Sequence, residues 1–312
     1  PYFRREGDIS MSIQPLAKDT TFTDIARWYV VAWKTVTDGP DSRTIATVSQ
    51  SAKLETAVRE AKSVIRKAFA VPKEKLDSEH LGWWHKFYEQ AAFLTFPDKD
   101  IERFYWFQYY KFASTARPGK PVVDLQGVWP TCDTPWPAIW MNLNIQLTYS
   151  WLTKANLGFL EQPLWDALWK NCDNLTRNVT DICGQEDWTE CRVLPRASGY
   201  DFHAPLNPAL AQRNQYEVGN LTWTLFYYWQ MCEAYGDDLQ MKARLFPLLK
   251  SAVNIFFRIR IQNPDGTYSL PSTASPEYGE GDLGEIGTNT NYDLANLRWG
   301  LSTLIEIDGK YG

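Results

Sequence analysis

The chain has 312 residues, of which 44% are hydrophobic and 22% are charged. This is the composition of a folded globular protein, and the length suits one large domain or two of ordinary size. The net charge of −5 is spread along the chain without a basic run, which argues against nucleic acid and anionic membranes as partners. No apolar run approaches the roughly 20 residues that a membrane-spanning helix needs.

Aromatic residues and cysteines narrow the classes of function further. The chain carries 15 Trp, 16 Tyr and 15 Phe, a content that a large helical core explains and that binding of sugar rings would also favour. None of the five cysteines forms a Cys-x-x-Cys pair, so we expect no metal site and no cofactor. Cys172, Cys183 and Cys191 are near one another and could supply a disulfide.

The first 50 residues predict β-structure. The stretch ARWYVVAWKTV (26–36) is rich in β-branched and aromatic residues, and an Asp-Gly-Pro turn follows it. Because one or two strands cannot form a stable sheet alone, we interpret this region as the remnant of a β domain that lies upstream. The next stretch, 53–70, places apolar residues on one face at helical spacing and predicts a helix.

Helical patterns then continue to the end of the chain. They are separated by helix breakers and are predicted at 79–94, 99–115, 145–157, 162–181, 217–236, 240–262 and 291–308. Such a succession of helical hairpins indicates an α/α toroid or a helical solenoid. The chain has no repeat of fixed length, which favours the toroid.

Two long polar loops interrupt the helices, at 187–220 and 270–293. Long loops without secondary structure in a compact domain are usually functional. In a helical toroid both loops would lie at one mouth of the barrel, and we expect the site there.

A series of short motifs lies within residues 103–151. After a helix, the chain carries in order an Arg-Pro-Gly loop, a Leu-Gln-Gly-x-Trp element, a Pro-Trp pair and an Asn-x-Asn element. The element Pro271-Ser272-Thr273-Ala274-Ser275-Pro276-Glu277 follows much later. With these ordered elements, residues 75–308 resemble the catalytic core of family 95 glycoside hydrolases.

The resemblance implies a mainly α fold. It is an incomplete (α/α)6 barrel, or helical toroid, preceded by the remnant of an N-terminal β-sandwich domain and a helical linker. We assign residues 1–50 to the sandwich remnant, 51–74 to the linker and 75–312 to the N-terminal and central part of the barrel. The expected partners within a longer protein are then an upstream β-sandwich and downstream barrel segments.

The resemblance also implies an activity. The family cleaves α-L-fucosides and α-L-galactosides with inversion, using a Glu as general acid and two Asn residues that hold the attacking water. These roles fall on Glu277, Asn142 and Asn144, while the general base, an Asp, is expected beyond residue 312. The chain departs from the family at Pro130, where an Asn is usual, so the identity of the sugar stays open.

Neighbouring residues complete the predicted site. Substrate contacts are expected from Gln126, Trp129, Trp136, Trp140, Asp201, His203, Asn291 and Asp293. His203 is equally well explained as a loop residue without a role. Asp293 is also explained as an acidic group that favours a helix N-terminus.

The two asparagines set a geometric condition. Residues two apart on a continuous helix face different directions, so Asn142 and Asn144 converge on one water only in a loop or at a helix start. The helical pattern begins near Ile145, which is compatible with that condition. Alternatively, Asn144 is simply the N-cap of the helix.

The leading interpretation is an inverting glycosidase that acts on a terminal α-linked L-sugar of an oligosaccharide or polysaccharide, in an extracellular or periplasmic location. A catalytically silent glycan-binding relative is the alternative. A third is another toroid enzyme, either a phosphorylase, for which no phosphate pocket is evident, or a polysaccharide lyase, for which the chain offers Arg192, Arg196 and His203. Three glycosylation sequons permit secretion without proving it: Asn174, Asn178 and Asn220.

Overall fold

The computed structural model describes residues 1–16, 27–125, 127, 138–183, 188–204, 217–273 and 287–311. These residues fall into two compact units, of which the first ends at Gln90 and the second begins at Ala91. Each unit has a hydrophobic core of its own. In the described part of the chain, no helix is both long enough and apolar enough to cross a membrane.

The first unit begins with an antiparallel sheet whose four strands follow one another in chain order. They are β1 (Tyr2–Glu6), β2 (Ile9–Pro15), β3 (Trp28–Asp38) and β4 (Asp41–Ser51). The prediction of one or two strands was therefore wrong. All four strands lie within the region predicted to be β-structure, and β1, whose burial is slight, is held by its pairing with β2.

Two helices complete the first unit, α1 (Leu54–Phe69) and α2 (Lys73–Gln90). Ala57, Ala61 and Ile65 recur at helical spacing on α1 and join strand residues Ile13 and Val30 in one core. The packing of α1 on the sheet buries the alternate residues of β2 that face it. The assignment of residues 1–74 to a sandwich remnant and a linker stays a prediction.

Helices make up most of the second unit. They are α3 (Lys99–Thr115), α4 (Asn144–Tyr149), α5 (Gln162–Lys170), α6 (Cys172–Cys183), α7 (Asn220–Tyr235), α8 (Asp238–Gln240), α9 (Phe246–Ile259) and α10 (Asn291–Tyr311). A 3-10 turn lies at Gly158–Leu160 and a π turn at Met241–Leu245. Two short antiparallel pairs join β5 (Ile139–Trp140) to β6 (Ala197–Ser198) and β7 (Ile261–Gln262) to β8 (Tyr268–Ser269).

Two predicted helices are shorter than the sequence pattern indicates. The helix predicted at 145–157 ends at Tyr149, and hydrogen-bonded turns lead to Asn156, which has a φ of 57°. The helix predicted at 162–181 is interrupted at Asn171, which has a ψ of 27°. Asn adopts the left-handed conformation seen at Asn156 more readily than most residues. The apolar spacing continues across the breaks, so the pattern alone did not reveal them.

Close packing brings the helices of the second unit together. Trp165 of α5 stacks on Tyr228 of α7 with 4.6 Å between ring centroids and 7° between planes. Gly300 lets α10 approach α9, because a Cβ atom there would lie 2.6 Å from Val253 Cγ2. The starts of α7 and α10 also lie near each other, because the Tyr292 hydroxyl of α10 is bonded to Asn220 of α7, and both contribute to the site described below.

The fold also bears on the sequons and the predicted disulfide. Asn178 and Asn220 are fully buried, and the side-chain amide of each donates hydrogen bonds within the protein. Their sequons therefore offer no accessible acceptor in the folded protein. Cys172 is a free thiol, so it does not take part in a disulfide here.

Candidate functional site

The Asn-Leu-Asn element forms a tight backbone turn at the start of α4. Asn142 and Leu143 have positive φ values of 63° and 111°, and the helix begins at Asn144. The Leu143 N–H donates to Gln146 Oε1 over 3.0 Å. The turn provides the helix start that the two asparagines require. The N-cap interpretation of Asn144 is wrong, because Leu143 occupies the cap position.

The pairing of β5 with β6 fixes where this turn lies. Trp140, a predicted substrate contact, lies opposite Ala197 in the pair. One residue further on, the Met141 N–H donates to the Arg196 carbonyl oxygen over 2.6 Å. Asn142 is thereby placed beside the first polar loop, to which Arg196 belongs.

The side chains of Asn142 and Arg196 meet at Glu217. Asn142 Nδ2 and Asn220 Nδ2 each donate to Glu217 Oε2 over 3.0 Å. Arg196 forms an ion pair with the other carboxylate oxygen, to which its Nε–H donates over 2.5 Å. We call Asn142, Arg196, Glu217 and Asn220 the Glu217 network.

Burial and hydrogen bonding act in opposite directions on Glu217. The residue is 1% exposed. This desolvation is the larger effect and raises the pKa of its carboxyl group above the ordinary value, although the Arg196 guanidinium and the amides of Asn220 and Asn142 act to lower it. All three described partners are donors, which is the arrangement that an ionised carboxylate requires. A buried carboxylate is stable only when it is paired in this way.

The network extends to α10 through Tyr292. The Tyr292 hydroxyl donates to Asn220 Oδ1 over 2.9 Å. Gly219 permits this approach, because a Cβ atom there would lie 2.6 Å from Tyr292 Cε1. Burial raises the pKa of Tyr292 well above its ordinary value, so the hydroxyl keeps its proton and remains a donor.

An aromatic cleft of about 420 Å³ lies between α7 and α10. It is lined by Trp223, Phe226, Tyr227, Asn291, Tyr292, Ala295, Asn296 and Trp299. Asn291, a predicted substrate contact, is exposed at this cleft. Through Tyr292 the cleft adjoins the Glu217 network. Ring faces combined with side-chain amides are suited to the apolar faces and hydroxyl groups of sugars.

Asp201 and His203 lie in a part of the first polar loop that is anchored on α6. The Asp201 carboxylate accepts from the His203 backbone N–H over 3.1 Å, and Phe202 between them has a φ of 56°. Asn174 Nδ2 and Asn178 Nδ2 of α6 donate to the carbonyl oxygens of Asp201 and Phe202, each over 2.9 Å. His203 is 3% exposed, so its ring belongs to the interior of this loop.

The Leu-Gln-Gly element is tied to the same loop through Asp124. The Tyr200 hydroxyl donates to Asp124 Oδ2 over 3.2 Å, and the Gly127 N–H donates to Asp124 Oδ1 over 2.7 Å. Gly127 has a φ of 68°, a conformation that glycine adopts without strain. Three predicted substrate contacts in and after this element lie outside the described residues: Gln126, Trp129 and Trp136.

Asp293 anchors the chain where it leads towards Glu277. Asp293 is 1% exposed, and its Oδ2 accepts hydrogen bonds from the hydroxyl groups of Thr273 and Thr290. Burial raises the pKa of Asp293, and the two hydroxyls act to lower it. Thr273 is the last described residue before Glu277, which itself lies outside the described residues.

The structure thus brings some predicted residues together and adds others. Hydrogen bonds link Asn142 through Glu217 and Asn220 to Tyr292, which lies between Asn291 and Asp293 in the chain. Glu217 was missed by sequence reasoning, although it lies in a polar loop that was predicted to be functional. Its position in that loop, three residues before the start of α7, is the sequence feature that could have identified it. Within the ranges given above, no three His, Cys, Asp or Glu side chains are grouped to hold a metal ion.

The chain matches one family model and two curated proteins. Residues 86–308 match the model of the glycosyl hydrolase family 95 catalytic domain. "Alpha-L-fucosidase 2" of Arabidopsis thaliana is 24% identical over 217 residues, covering 65% of this chain and 25% of that protein. "Probable alpha-fucosidase A" of Aspergillus niger is 23% identical over 182 residues, covering 54% and 22%. The chain therefore spans about a quarter of the length of these relatives.

A solved structure shares the fold. "Putative kojibiose phosphorylase from human microbiome" aligns with a TM-score of 0.67 and 11% identity, over 99% of this chain and 44% of that one. At this identity the likeness concerns the fold alone. Together with the family match, it confirms a mainly α chain of the helical-toroid class with a sheet at its N-terminus. The number of six helical hairpins stays a prediction.

Proposed function

Because the chain belongs to glycosyl hydrolase family 95, we propose that it is part of an inverting glycosidase that removes a terminal α-linked L-sugar from glycans. The family match supports glycosidase activity in general, and the names of the two relatives favour L-fucose over L-galactose. The observation that carries the proposal is the turn that ends at Asn144, which places both asparagines at a helix start.

In the proposed reaction, residues on the two faces of the sugar have different roles. Inversion requires an acid on the leaving oxygen and a base that activates water on the opposite face, roughly 6.5–9.5 Å away. Glu277 donates the proton to the leaving oxygen as the glycosidic bond breaks. Asn142 and Asn144 hold the water that attacks the anomeric carbon. The proton lost by that water goes to an Asp that we expect beyond residue 312.

The substrate proposal rests on the surfaces around the asparagines. The aromatic cleft between α7 and α10 would receive the ring of a sugar, with Asn291 at its margin. Trp140 would frame the subsite from β5, together with Gln126, Trp129 and Trp136, and Asp201 would bind hydroxyl groups, whereas the buried His203 would support the loop from inside. An extracellular or periplasmic location and assembly with the remaining barrel segments belong to the same proposal.

The test of this function uses the full-length protein with a panel of aryl α-L-fucosides, aryl α-L-galactosides and fucosylated oligosaccharides. We expect release of a single L-sugar, with the first-formed product carrying the inverted anomeric configuration by proton NMR. Binding of L-fucosides without any hydrolysis would favour the alternative, a glycan-binding protein without catalytic activity. A product that retains the anomeric configuration would contradict the proposed mechanism.

Glu277→Gln is the first mutational test. Because an amide cannot protonate the leaving oxygen, kcat on oligosaccharides is expected to fall by about 10²–10⁴, the contribution typical of a general acid. Glu280→Gln, three residues further along the same polar loop, is the control and should leave kcat within about twofold of wild type. Equal activity of the two variants would remove Glu277 as the acid.

A further inference from the structure

The Glu217 network points to a role for a residue that the proposed function does not use. We infer that Glu217 is a positioning residue that fixes the orientation of the Asn142 side-chain amide, with Nδ2 turned to the carboxylate and Oδ1 turned away from it. The use of that oxygen in the reaction rests on the proposed function. The orientation itself is a property of the folded protein.

The orientation of the Asn142 amide depends on its hydrogen-bond partners. The two ends of the Asn142 amide have nearly the same shape, so only their hydrogen-bond partners decide which end faces which way. An ionised carboxylate accepts hydrogen bonds and donates none. With Glu217 Oε2 at 3.0 Å, the facing atom of Asn142 must be the nitrogen.

Both carboxylate oxygens of Glu217 accept hydrogen bonds from neighbouring side chains. The charge of Arg196 lies against Oε1, and the Asn220 amide donates to Oε2 beside Asn142. A proton on either oxygen would displace one of these donors, because no acceptor is bonded to Glu217 among the described residues. The guanidinium charge against Oε1 favours the ionised form of Glu217.

Burial determines where the other end of the amide points. Glu217 is 1% exposed, whereas Asn142 is only partly buried. The nitrogen therefore faces inward and the oxygen faces the less buried side. The backbone keeps this arrangement in place, since Asn142 has a φ of 63° and the preceding N–H of Met141 is bonded to Arg196.

An oriented oxygen has a specific consequence for an attacking water. A water that donates one proton to Asn142 Oδ1 and the other to a general base has its lone pair directed away from both. Such positioning holds the water in the reactive geometry and so lowers the entropic part of the activation barrier. If the amide were reversed, Nδ2 would donate to the water oxygen and occupy the lone pair that must attack. Glu217 thus acts on the reaction through Asn142 and touches neither water nor sugar.

Glu217→Gln in the full-length protein tests this role. If the glutamine oxygen stays with Arg196, its nitrogen faces Asn142 and favours the reversed amide. We expect kcat on an aryl α-L-fucoside to fall about 100-fold, the effect of a misplaced reacting group, with KM within about threefold. Glu161→Gln is the matched control, because Glu161 is also 1% exposed and has no contact with Asn142 among its described hydrogen bonds. Its kcat should stay within about twofold of wild type.

Two compensating substitutions distinguish a role of Glu217 in orienting the Asn142 amide from a general role in stabilising the fold. In Glu217→Gln with Asn142→Asp, one Asp oxygen accepts from the glutamine nitrogen and the other still accepts from water. We expect kcat of this double variant to recover at least about tenfold over Glu217→Gln, whereas Asn142→Asp alone places two carboxylates together and is inactive. A double variant as inactive as both single variants, with all folded, would overturn the inference.

A measurement on the wild-type protein keeps the inference independent of activity and of variant folding. In protein labelled with ¹⁵N-asparagine, hydrogen exchange of the Asn142 side-chain NH₂ is expected to be slow, because one proton is bonded to a buried carboxylate. Fast exchange would overturn the inference. A full-length protein that shows slow exchange but hydrolyses nothing in the panel would overturn only the proposed function.

Discussion

At the scale of single residues, the described part of the second unit contains two buried glutamates with different surroundings. Glu217 is paired with the charge of Arg196, whereas Glu161 accepts from the neutral Thr153 hydroxyl over 2.6 Å. A cation stabilises a buried carboxylate more than a hydroxyl does. Burial is the largest effect on the pKa of both groups and raises it in each, and at Glu161 it raises the pKa to about 7 against the opposing hydrogen bond from Thr153.

The shift at Glu161 predicts a pH-dependent stability. The unfolded chain releases this proton near 4.5 and the folded protein near 7, so between these values the folded protein binds one more proton. Stability is therefore fully present below 4.5, decreases as pH rises towards 7, and is lower by about 3 kcal/mol above it. Glu161→Gln should remove this part of the pH dependence in urea unfolding between pH 5 and 8.

The control for that measurement is Glu306→Gln, which changes an exposed carboxyl group on α10. Its unfolding free energy should follow wild type at every pH. If Glu161→Gln also followed wild type across the range, burial of a protonated Glu161 would be excluded. The titration concerns stability alone, since Glu161 has no place in the proposed reaction.

At the scale of elements, small residues decide how closely helices approach. Gly300 of α10 faces Val253 of α9 and Thr222 of α7, where a Cβ atom would lie 2.6 Å and 3.4 Å from their methyl groups. Gly309 lies on the same helix with nothing within 4 Å of a built Cβ. The two glycines share a helix and differ only in what surrounds them, so they form a natural pair for comparison.

Gly300→Ala is expected to destabilise the protein. The added methyl group forces Val253 or the helix itself to move, and overpacking of this kind costs about 1–3 kcal/mol despite the better helix propensity of Ala. Gly309→Ala, with free space and the same propensity change, should be neutral or stabilising by up to about 1 kcal/mol. Urea unfolding of both variants checks this, and equal effects would refute close packing at Gly300.

At the scale of the whole second unit, the candidate site is assembled from segments far apart in the chain. Asn142 follows β5, Arg196 precedes β6, Glu217 precedes α7 and Tyr292 begins α10. The aromatic cleft joins this network through Tyr292. A sugar bound in the cleft would therefore lie near the amide of Asn142, which links recognition of the glycan to the proposed chemistry.

Trp223→Ala tests that link. Removal of one aromatic wall is expected to raise KM for fucosylated oligosaccharides about tenfold, the factor that about 1.4 kcal/mol produces, with a smaller change for aryl α-L-fucosides. The reason is that an aryl glycoside has no second sugar to place in the cleft. Trp169→Ala, which removes a 39% exposed ring of α5 outside the cleft, should leave KM unchanged. An equal rise in KM for both substrates would contradict binding of the second sugar in the cleft.

Much of the local structure was predictable because it depends on local patterns. The helices at 99–115 and 291–308 occur at Lys99–Thr115 and Asn291–Tyr311, since apolar spacing and flanking turns lie within the segments themselves. The break at Asn171 was not predictable, because the apolar residues on both sides face one core and so continue the pattern. The number of four strands within the predicted β region was not predictable for another reason, since β1 is held by pairing with β2 rather than by a pattern of its own.

Sequence alone determined the class of this protein: a mainly helical chain of family 95 with an Asn-Leu-Asn element at a helix start. Ordered motifs and apolar periodicity carry that information, and each is readable within a few residues. Only the tertiary structure revealed that Asn142, Arg196, Asn220 and Glu217 meet, with Tyr292 beyond them. A buried carboxylate needs donors from several directions, and those donors come from separate segments that only folding brings together.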